Sequence, residues 1–256
     1  MLRLWPDSIS VGLFPGQCWL HSRRIKQEPS CNLGLSTDPQ ALLHALETML
    51  DDKASVIRKG SRLTIVVSDS IAALVTLPWQ EELRSTEELA SYATACFENQ
   101  GIVMDDSWVM RTEFRRYQAM GIAYALPKAW LTQLLELLKV RGLRLQGVIP
   151  ISAAAYCAEQ RPTTQHQRLV LLQENHRTSA FIYDQSGLVG MDVEPVVTSR
   201  EVSGTRLLRR ISARFNAITD VGLWSPELAE QTPKADFIVA CLDKVTVQQL
   251  DRGAWS

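Results

Sequence analysis

The run LTIVVSDS at residues 63–70 and the IAALVTLP that continues it at 71–78 decide the architecture. LTIVV is nearly continuous apolar, the pattern of a strand covered on both faces, and the second run reads as another short strand. The next element is a polar helix and not a phosphate loop. The chain therefore has the pattern of a nucleotide-binding α/β fold without the loop that would carry nucleotide chemistry.

Upstream, LRLW and ISVGLF are separated by Pro6-Asp7-Ser8, and CWLHS comes after Pro15-Gly16. Short apolar runs broken by turn formers predict an antiparallel meander. Asp38 is a cap and Pro39 a first helical residue for a helix whose apolar stripe is Leu42, Leu43, Leu46, Met49 and Leu50. Downstream, residues 86–99 predict a helix capped by Ser85 or Thr86 and stopped by Gly101, with Glu87 and Glu88 near its positive end. Residues 108–114 and 121–126 predict strands. Pro127 opens a helix carrying Trp130, Leu131, Leu134, Leu135 and Leu138, with Gly142 as its stop. LRLQGVIP at 143–150 predicts a strand and residues 151–159 a short Ala-rich helix. The polar residues 160–167 contain Pro162 and divide the chain into units 1–160 and 168–256.

The second unit restarts with strands at 168–173, 179–183 and 188–193, again a meander. Residues 203–216 predict a helix with Leu207, Leu208, Ile211 and Phe215 inward and Arg206, Arg209, Arg210 and Arg214 outward. A strand at 236–241 and a helical amphipathic piece at 245–250 complete the reading. Meander, helix, strand and helix in both halves point to a duplicated α/β unit.

Composition narrows the function classes. The 256 residues are 46% hydrophobic, enough for a sizeable core, and Lys plus Arg number 27 against 28 for Asp plus Glu, so overall charge gives no argument for nucleic acid or an anionic membrane. The five cysteines are odd in number, widely spaced and without CxxC, which predicts reduced thiols. No signal-peptide pattern or membrane-spanning run is visible, so membrane association is expected through a partner and not by direct insertion.

The opening LRLWPDSISVGLF, the segment LTIVVSDSIAALVTLPWQ leading to EELASYATACFE, and the block LPKAWLTQLLELLKVRGLRLQGVIPISAAAY resemble the cytoplasmic actin-like proteins of type IV pilus and type II secretion systems, PilM and the cytoplasmic region of GspL. With the second meander, QRLVLLQENHRTSAFIYDQSGLV, the likeness covers most of the chain. It implies an α/β, actin-like (ribonuclease H-like) fold with mixed sheets: a first lobe at 1–160 with an inserted subdomain and a reduced second lobe at 168–256. It also implies a non-catalytic cytoplasmic adaptor at the inner-membrane face. Such an adaptor binds the tail of a bitopic inner-membrane pilus or secretion protein, and the motor ATPase is a further expected partner; nucleic acid is not.

Nucleotide-binding members approach phosphate through glycine-containing hairpin loops and hold the metal with a carboxylate. In this chain the first hairpin reads as WPDSIS, with Asp7 but no glycine. The second is QENHRTS, with Glu174 and Thr178 but no Asp-x-Gly. Asp7, Glu174 and Thr178 are thus degenerate-site candidates, equally readable as turn residues, and no cofactor or metal is expected; the alternative is a nucleotide-responsive protein using noncanonical loops. Ser68-Asp69-Ser70 supplies oxygen ligands or caps without a third element. The four histidines lack zinc spacing. Partner-binding candidates are Arg206, Arg209, Arg210 and Arg214, otherwise a solvated face, and Trp79 and Trp224, each beside a proline-containing turn and otherwise packed in its own domain.

Overall fold

In the computed structural model, residues 7–22, 30–31, 36–159, 166–226, 236–242 and 244–251 are described. The first sheet has strand order β3-β2-β1-β4-β8, from β1 (Ser8–Phe14), β2 (Gln17–Ser22), β3 (Ser30–Cys31), β4 (Arg62–Val67) and β8 (Arg144–Pro150). Its hairpin pairs β1 and β2 antiparallel, while β1, β4 and β8 run parallel. The second sheet is β11-β10-β9-β12-β13, from β9 (Gln167–Gln173), β10 (Arg177–Asp184), β11 (Gly187–Pro195), β12 (Ile218–Trp224) and β13 (Thr246–Gln249). Counted within each sheet, both have the order 3-2-1-4-5, with a meander leading into two parallel strands, so the duplication expected from the sequence is present in topology.

Helix α1 (Pro39–Asp52) begins where the sequence places it: Asp38 accepts from the Gln40 amide, and Pro39 occupies the first turn. With α3 (Lys128–Val140) it covers one face of the first sheet, burying Leu42, Leu46, Met49, Trp130, Leu134 and Leu138 against Val11, Leu13, Ile65 and Val67. Each such fully buried side chain stabilises the fold by about 1.5–3 kcal/mol. The Trp130 indole N–H donates to the Pro39 carbonyl at 3.0 Å, and Arg141 reaches Glu47 and Asp51, each at 2.9 Å, joining the two helices at both ends.

Between β4 and α3 lie β5 (Ala73–Leu77), α2 (Thr86–Glu98), β6 (Trp108–Glu113) and β7 (Gly121–Pro127), whose strands form a third, antiparallel sheet in the order β5-β7-β6. Ser85 and Glu88 cap α2 reciprocally, and Phe97 and Ala93 seal it onto Val75, Leu77 and Ala123. In the second unit α5 (Arg200–Ser212) presents Leu207, Leu208 and Ile211 to Leu169, Leu171, Ala180 and Ile182. The opposite face of that sheet packs on α4 (Ile151–Ala158) together with Phe14 and Val66 of the first.

Three readings change. Residues 236–241, expected as a strand, form α6 (Asp236–Cys241): Phe237 and Ile238 are buried side by side while Val239 is 58% exposed, a helical pattern that a six-residue apolar run does not reveal. The expected terminal helix at 245–250 is the strand β13, paired parallel to β12. Strand β12 was hidden by its polar Thr219-Asp220 and by Gly222. The expected first strand at 2–5 and the boundary residues 160–165 lie outside the described residues.

Gly12 stands directly across from Trp19, and a Cβ built on it would lie 2.2–2.6 Å from the buried indole. Gly12→Ala is expected to lower unfolding free energy by about 1–3 kcal/mol, the cost of overpacking a filled core. Urea denaturation followed by far-ultraviolet dichroism measures it, and an unchanged midpoint would show that the indole has room to shift.

Candidate functional site

The expected phosphate-facing turns are placed differently from the sequence reading. The β1–β2 connection is Pro15-Gly16, and Gly16 has φ +85°, the left-handed region that favours glycine. The first hairpin therefore does carry a glycine. Asp7 lies just before the other end of β1, its carbonyl accepting from the Arg62 amide at 2.8 Å, and seven residues of strand put it roughly 20 Å from the turn. WPDSIS leads into a strand and is not the turn between β1 and β2.

The second turn, at 174–176, does reach the first: the Asn175 side-chain amide donates to the Pro15 carbonyl at 2.8 Å. Glu174 is 2% exposed, and its Oε1 accepts from the Asp69 amide at 3.3 Å. Its Oε2 has no hydrogen-bond partner among the described residues. Burial, and then the neighbouring Asp69 charge, push the Glu174 carboxyl up to about 8. Asp69 sits on a single 3-10 turn after β4, itself 2% exposed. Its two carboxylate oxygens accept from the Ser152 amide at 3.2 Å and the Ser152 hydroxyl at 2.5 Å, and Arg177 stands 3.9 Å away. Thr178 does not join this cluster. It shares the face of Ala180 and Ile182 towards α5, directly across from Gln173, where its hydroxyl and the Gln173 amide have no partners among the described residues. His176, in the same turn, has its pKa lowered by burial and by Arg177.

An actin-type nucleotide site needs open backbone amides at both turns and a carboxylate able to turn to a cation. Here the Asp69 amide is engaged by Glu174, both Asp69 oxygens by Ser152, and Asn175 closes one turn onto the other. Asp69 is thus committed to protein groups, and the two turns are in contact. Sequence reading named Glu174 but missed Ser152 and Arg177, and left Asp69 as an oxygen ligand or a cap; the only local signal was a polar Ser-Asp-Ser directly after a buried strand.

A second place has the shape of a binding site. A groove of about 600 Å³ runs between the first sheet and the third. One wall is β8, an edge strand lining it with five consecutive residues, 145–149. The floor is one face of β6 and β7: Val109, Arg111 and Glu113 alternate along β6, beside Tyr124 and Leu126. The far wall is Leu131 and Leu135 of α3. Leu135 is 51% and Val109 42% exposed, so two large apolar side chains face open space across the groove. A Cβ on Gly147 would meet nothing within 4 Å, so the face of the sheet is open at this point of the irregular β4–β8 ladder. None of these residues was singled out in the sequence, because the groove draws them from five elements.

The remaining candidates divide. Trp224 is fully buried and packs on Phe14 at 5.2 Å between ring centroids, so it belongs to the core between the sheets and is not a partner anchor. Trp79 is half-buried, held edge-on by Phe114 at 5.6 Å and by the 69% exposed Tyr117 at 5.0 Å, beside a cavity of about 330 Å³. Arg206, Arg209, Arg210 and Arg214 do point outward, and part of this face is paired within the chain. Arg210 pairs with Asp192 at 3.1 Å and with Glu194, Arg206 lies 3.9 Å from Glu194, and Arg214 covers the Phe215 ring.

The Glu174 carboxyl gives a stability signature. A carboxyl whose pKa is raised on folding contributes stabilisation fully present below its unfolded value near 4.5 and lost as pH rises through about 8. The wild-type chain is expected to lose stability between about pH 4.5 and 8, and Glu174→Gln, which stays neutral, to lose less. Thermal melts across that range measure the difference; parallel curves for the two proteins would remove Glu174 as the cause.

No protein-family model matches the chain, and no curated protein matches it in sequence. Solved structures do. A PilM–PilN type IV pilus biogenesis complex is matched with a TM-score of 0.65 at 14% identity, over 96% of this chain and 88% of that one. A Bacteroides thetaiotaomicron protein of actin-like ATPase fold and unknown function is matched at 0.61 and 11% identity, over 94% and 90%. The cytoplasmic domain of EpsL, an inner-membrane component of the Vibrio cholerae type II secretion system, is matched at 0.52 and 13% identity, over 91% and 93%. The likeness to PilM and GspL cytoplasmic proteins read from the sequence is thus present in three dimensions, and the chain has the actin-like fold.

Proposed function

We propose that this chain is a non-catalytic adaptor of a pilus-assembly or type II secretion inner-membrane platform, and that the groove between β8 and β6 holds the extended cytoplasmic tail of a bitopic membrane protein. The observation that carries this reading is that β8, with no neighbour beyond it among the described residues, lines the groove along residues 145–149 and faces a floor whose side chains alternate. An extended peptide added beside β8 would gain main-chain hydrogen bonds from the edge, and its alternate side chains would meet Val109, Tyr124 and Leu135. Arg111 and Glu113, of opposite sign and two residues apart, would select the polar positions of the tail. The named PilM–PilN complex supports a partner of this kind. No described helix is long and apolar enough to cross a membrane; in this proposal the tail recruits the chain to the cytoplasmic face. A second surface would meet the motor ATPase, and the ledge of Trp79 and Tyr117 is the best formed for it.

The absence of catalysis is part of the proposal, supported by the engagement of Asp69, Glu174 and Asn175 with protein groups. One observation favours the nucleotide-responsive alternative: the glycine turn at Gly16. Titration with magnesium-ATP separates the two. The adaptor reading expects no saturable binding at micromolar nucleotide, and robust turnover by homogeneous protein would overturn it.

For the groove, calorimetry against cytoplasmic tails encoded with the same assembly system is expected to show binding by the wild type. Val109→Glu with Leu135→Glu is expected to weaken it by about tenfold or more, because each places a carboxylate where an apolar contact forms. The double variant should keep its far-ultraviolet dichroism. Unchanged affinity in a folded double variant would move the tail away from the groove; no binding of any system component by the wild type would reject the adaptor.

A further inference from the structure

The ledge of Trp79, Phe114 and Tyr117 has a charge setting as well as a shape. Trp79 and Phe114 line the cavity of about 330 Å³ together with Leu83 and Leu89. Tyr117 stands against Trp79 and, at 69% exposure, leaves most of its ring to solvent. The Trp79 indole N–H is covered and has no hydrogen-bond partner among the described residues, an orphan donor that costs stability until an acceptor reaches it. The frame is fixed before anything binds: the Tyr92 hydroxyl donates to the Pro78 carbonyl at 3.0 Å, and Ser85 and Glu88 cap α2 reciprocally. On the same stretch of chain the carboxylates of Glu81, Glu82, Glu87 and Glu88 are exposed, and the first three are in no ion pair among the described residues. The guanidinium that lines the cavity is that of Arg84. Arg115 and Arg116, next to Phe114, are used elsewhere: Arg115 donates to the Tyr156 and Glu159 carbonyls, and Arg116 lies beside Gly187.

We propose, resting on the second surface named above, that this ledge binds an extended, proline-rich segment of a partner protein that carries arginine. A polyproline helix makes no internal hydrogen bonds, so its carbonyls are free to accept from the Trp79 indole N–H once the half-buried ring turns its edge toward the cavity. Its proline rings pack on aromatic surface, which Trp79 supplies with Phe114 at 5.6 Å and Tyr117 at 5.0 Å between ring centroids. An arginine in the segment meets the exposed carboxylates and the open Tyr117 ring, and its planar guanidinium stacks on such a ring as a lysine ammonium does not. An acidic segment would bring like charges together, and a purely apolar one would leave the carboxylates without a partner. A segment already stiff also loses little entropy on docking, which suits a cavity of this size.

The test titrates the whole chain with the synthetic peptide Ala-Pro-Pro-Arg-Pro-Pro-Arg-Ala and with versions in which both arginines are alanine or both are glutamate. Calorimetry gives the affinity, and the indole N–H resonances give the place, that of Trp79 being the one lost in Trp79→Phe. The arginine peptide is expected to saturate and to shift the Trp79 indole resonance. The alanine version should bind about fivefold more weakly or worse, and the glutamate version should not bind. Tyr117 and the glutamates are exposed, so Tyr117→Ala and Glu81→Gln with Glu82→Gln test binding even where Trp79→Phe fails to fold. Each should weaken the arginine peptide about threefold or more, and the double glutamine variant should flatten its salt dependence. Val109→Glu with Leu135→Glu should bind this peptide as the wild type does, and Tyr117→Ala should bind the membrane-protein tail as the wild type does, so the two surfaces fail separately. No saturation by the arginine peptide, equal affinity for the alanine version, tighter binding of an equally basic helical peptide, or affinity unchanged in Tyr117→Ala would each overturn the proposal.

Discussion

Burial of the short helix α4 on all its sides holds the two sheets together. Its residues Ile151 to Tyr156 are all inaccessible, and three of them are alanines. Small side chains allow the second sheet, through Val170, Leu172 and Phe181, and the first, through Phe14 and Val66, to close on the same helix. A helix apolar on every face has no solvent side to choose, so α4 sets the separation of the two units. Ser152 is the polar exception, and it directs both its amide and its hydroxyl to Asp69, the residue that begins the turn after β4.

That bond organises the cleft. Asp69 is held by Ser152, Asp69 in turn offers its amide to Glu174, and Asn175 of the same turn reaches Pro15. Two units with the same strand order are thus joined turn to turn by side-chain and amide contacts. Two acidic groups in a dry place favour protonation of one of them, which is why Glu174 carries the raised pKa. The glycine at position 16 gives the first turn the backbone freedom that phosphate binding uses, and the second turn contacts that turn through the Asn175 side chain.

Where the cleft closes, the sheet edges remain. Strand β8 ends the first sheet with no neighbour beyond it among the described residues, and the inserted sheet stands off from it by the width of the groove. An unpaired edge is a template for another chain. At the opposite end of the same sheet β3 pairs with β2. The long edge β11 is guarded differently: Asp192 and Glu194 on it are paired with Arg210, one of the four arginines of the face read from the sequence.

The elements legible in the sequence are those whose signals are local: the capped helices α1 and α2, the leucine-striped α3 with its Gly142 stop, the doubly buried β4 and the two meanders. Those signals are caps, periodicity and turn formers, each written within a few residues, and their order was enough for the actin-like resemblance. Packing settled whatever depends on neighbours. The six residues of α6 fit either period until α5 supplied a surface for Phe237, and Trp224, readable as a partner anchor or as packed in its own domain, was decided by its contact with Phe14. The Asp69–Glu174–Ser152 cluster and the groove at β8 bring together residues separated by as many as 105 positions. Hydrogen bonding and burial act over a few ångströms in space, so no spacing along the chain could disclose which carboxylates would meet or which edge would stay open.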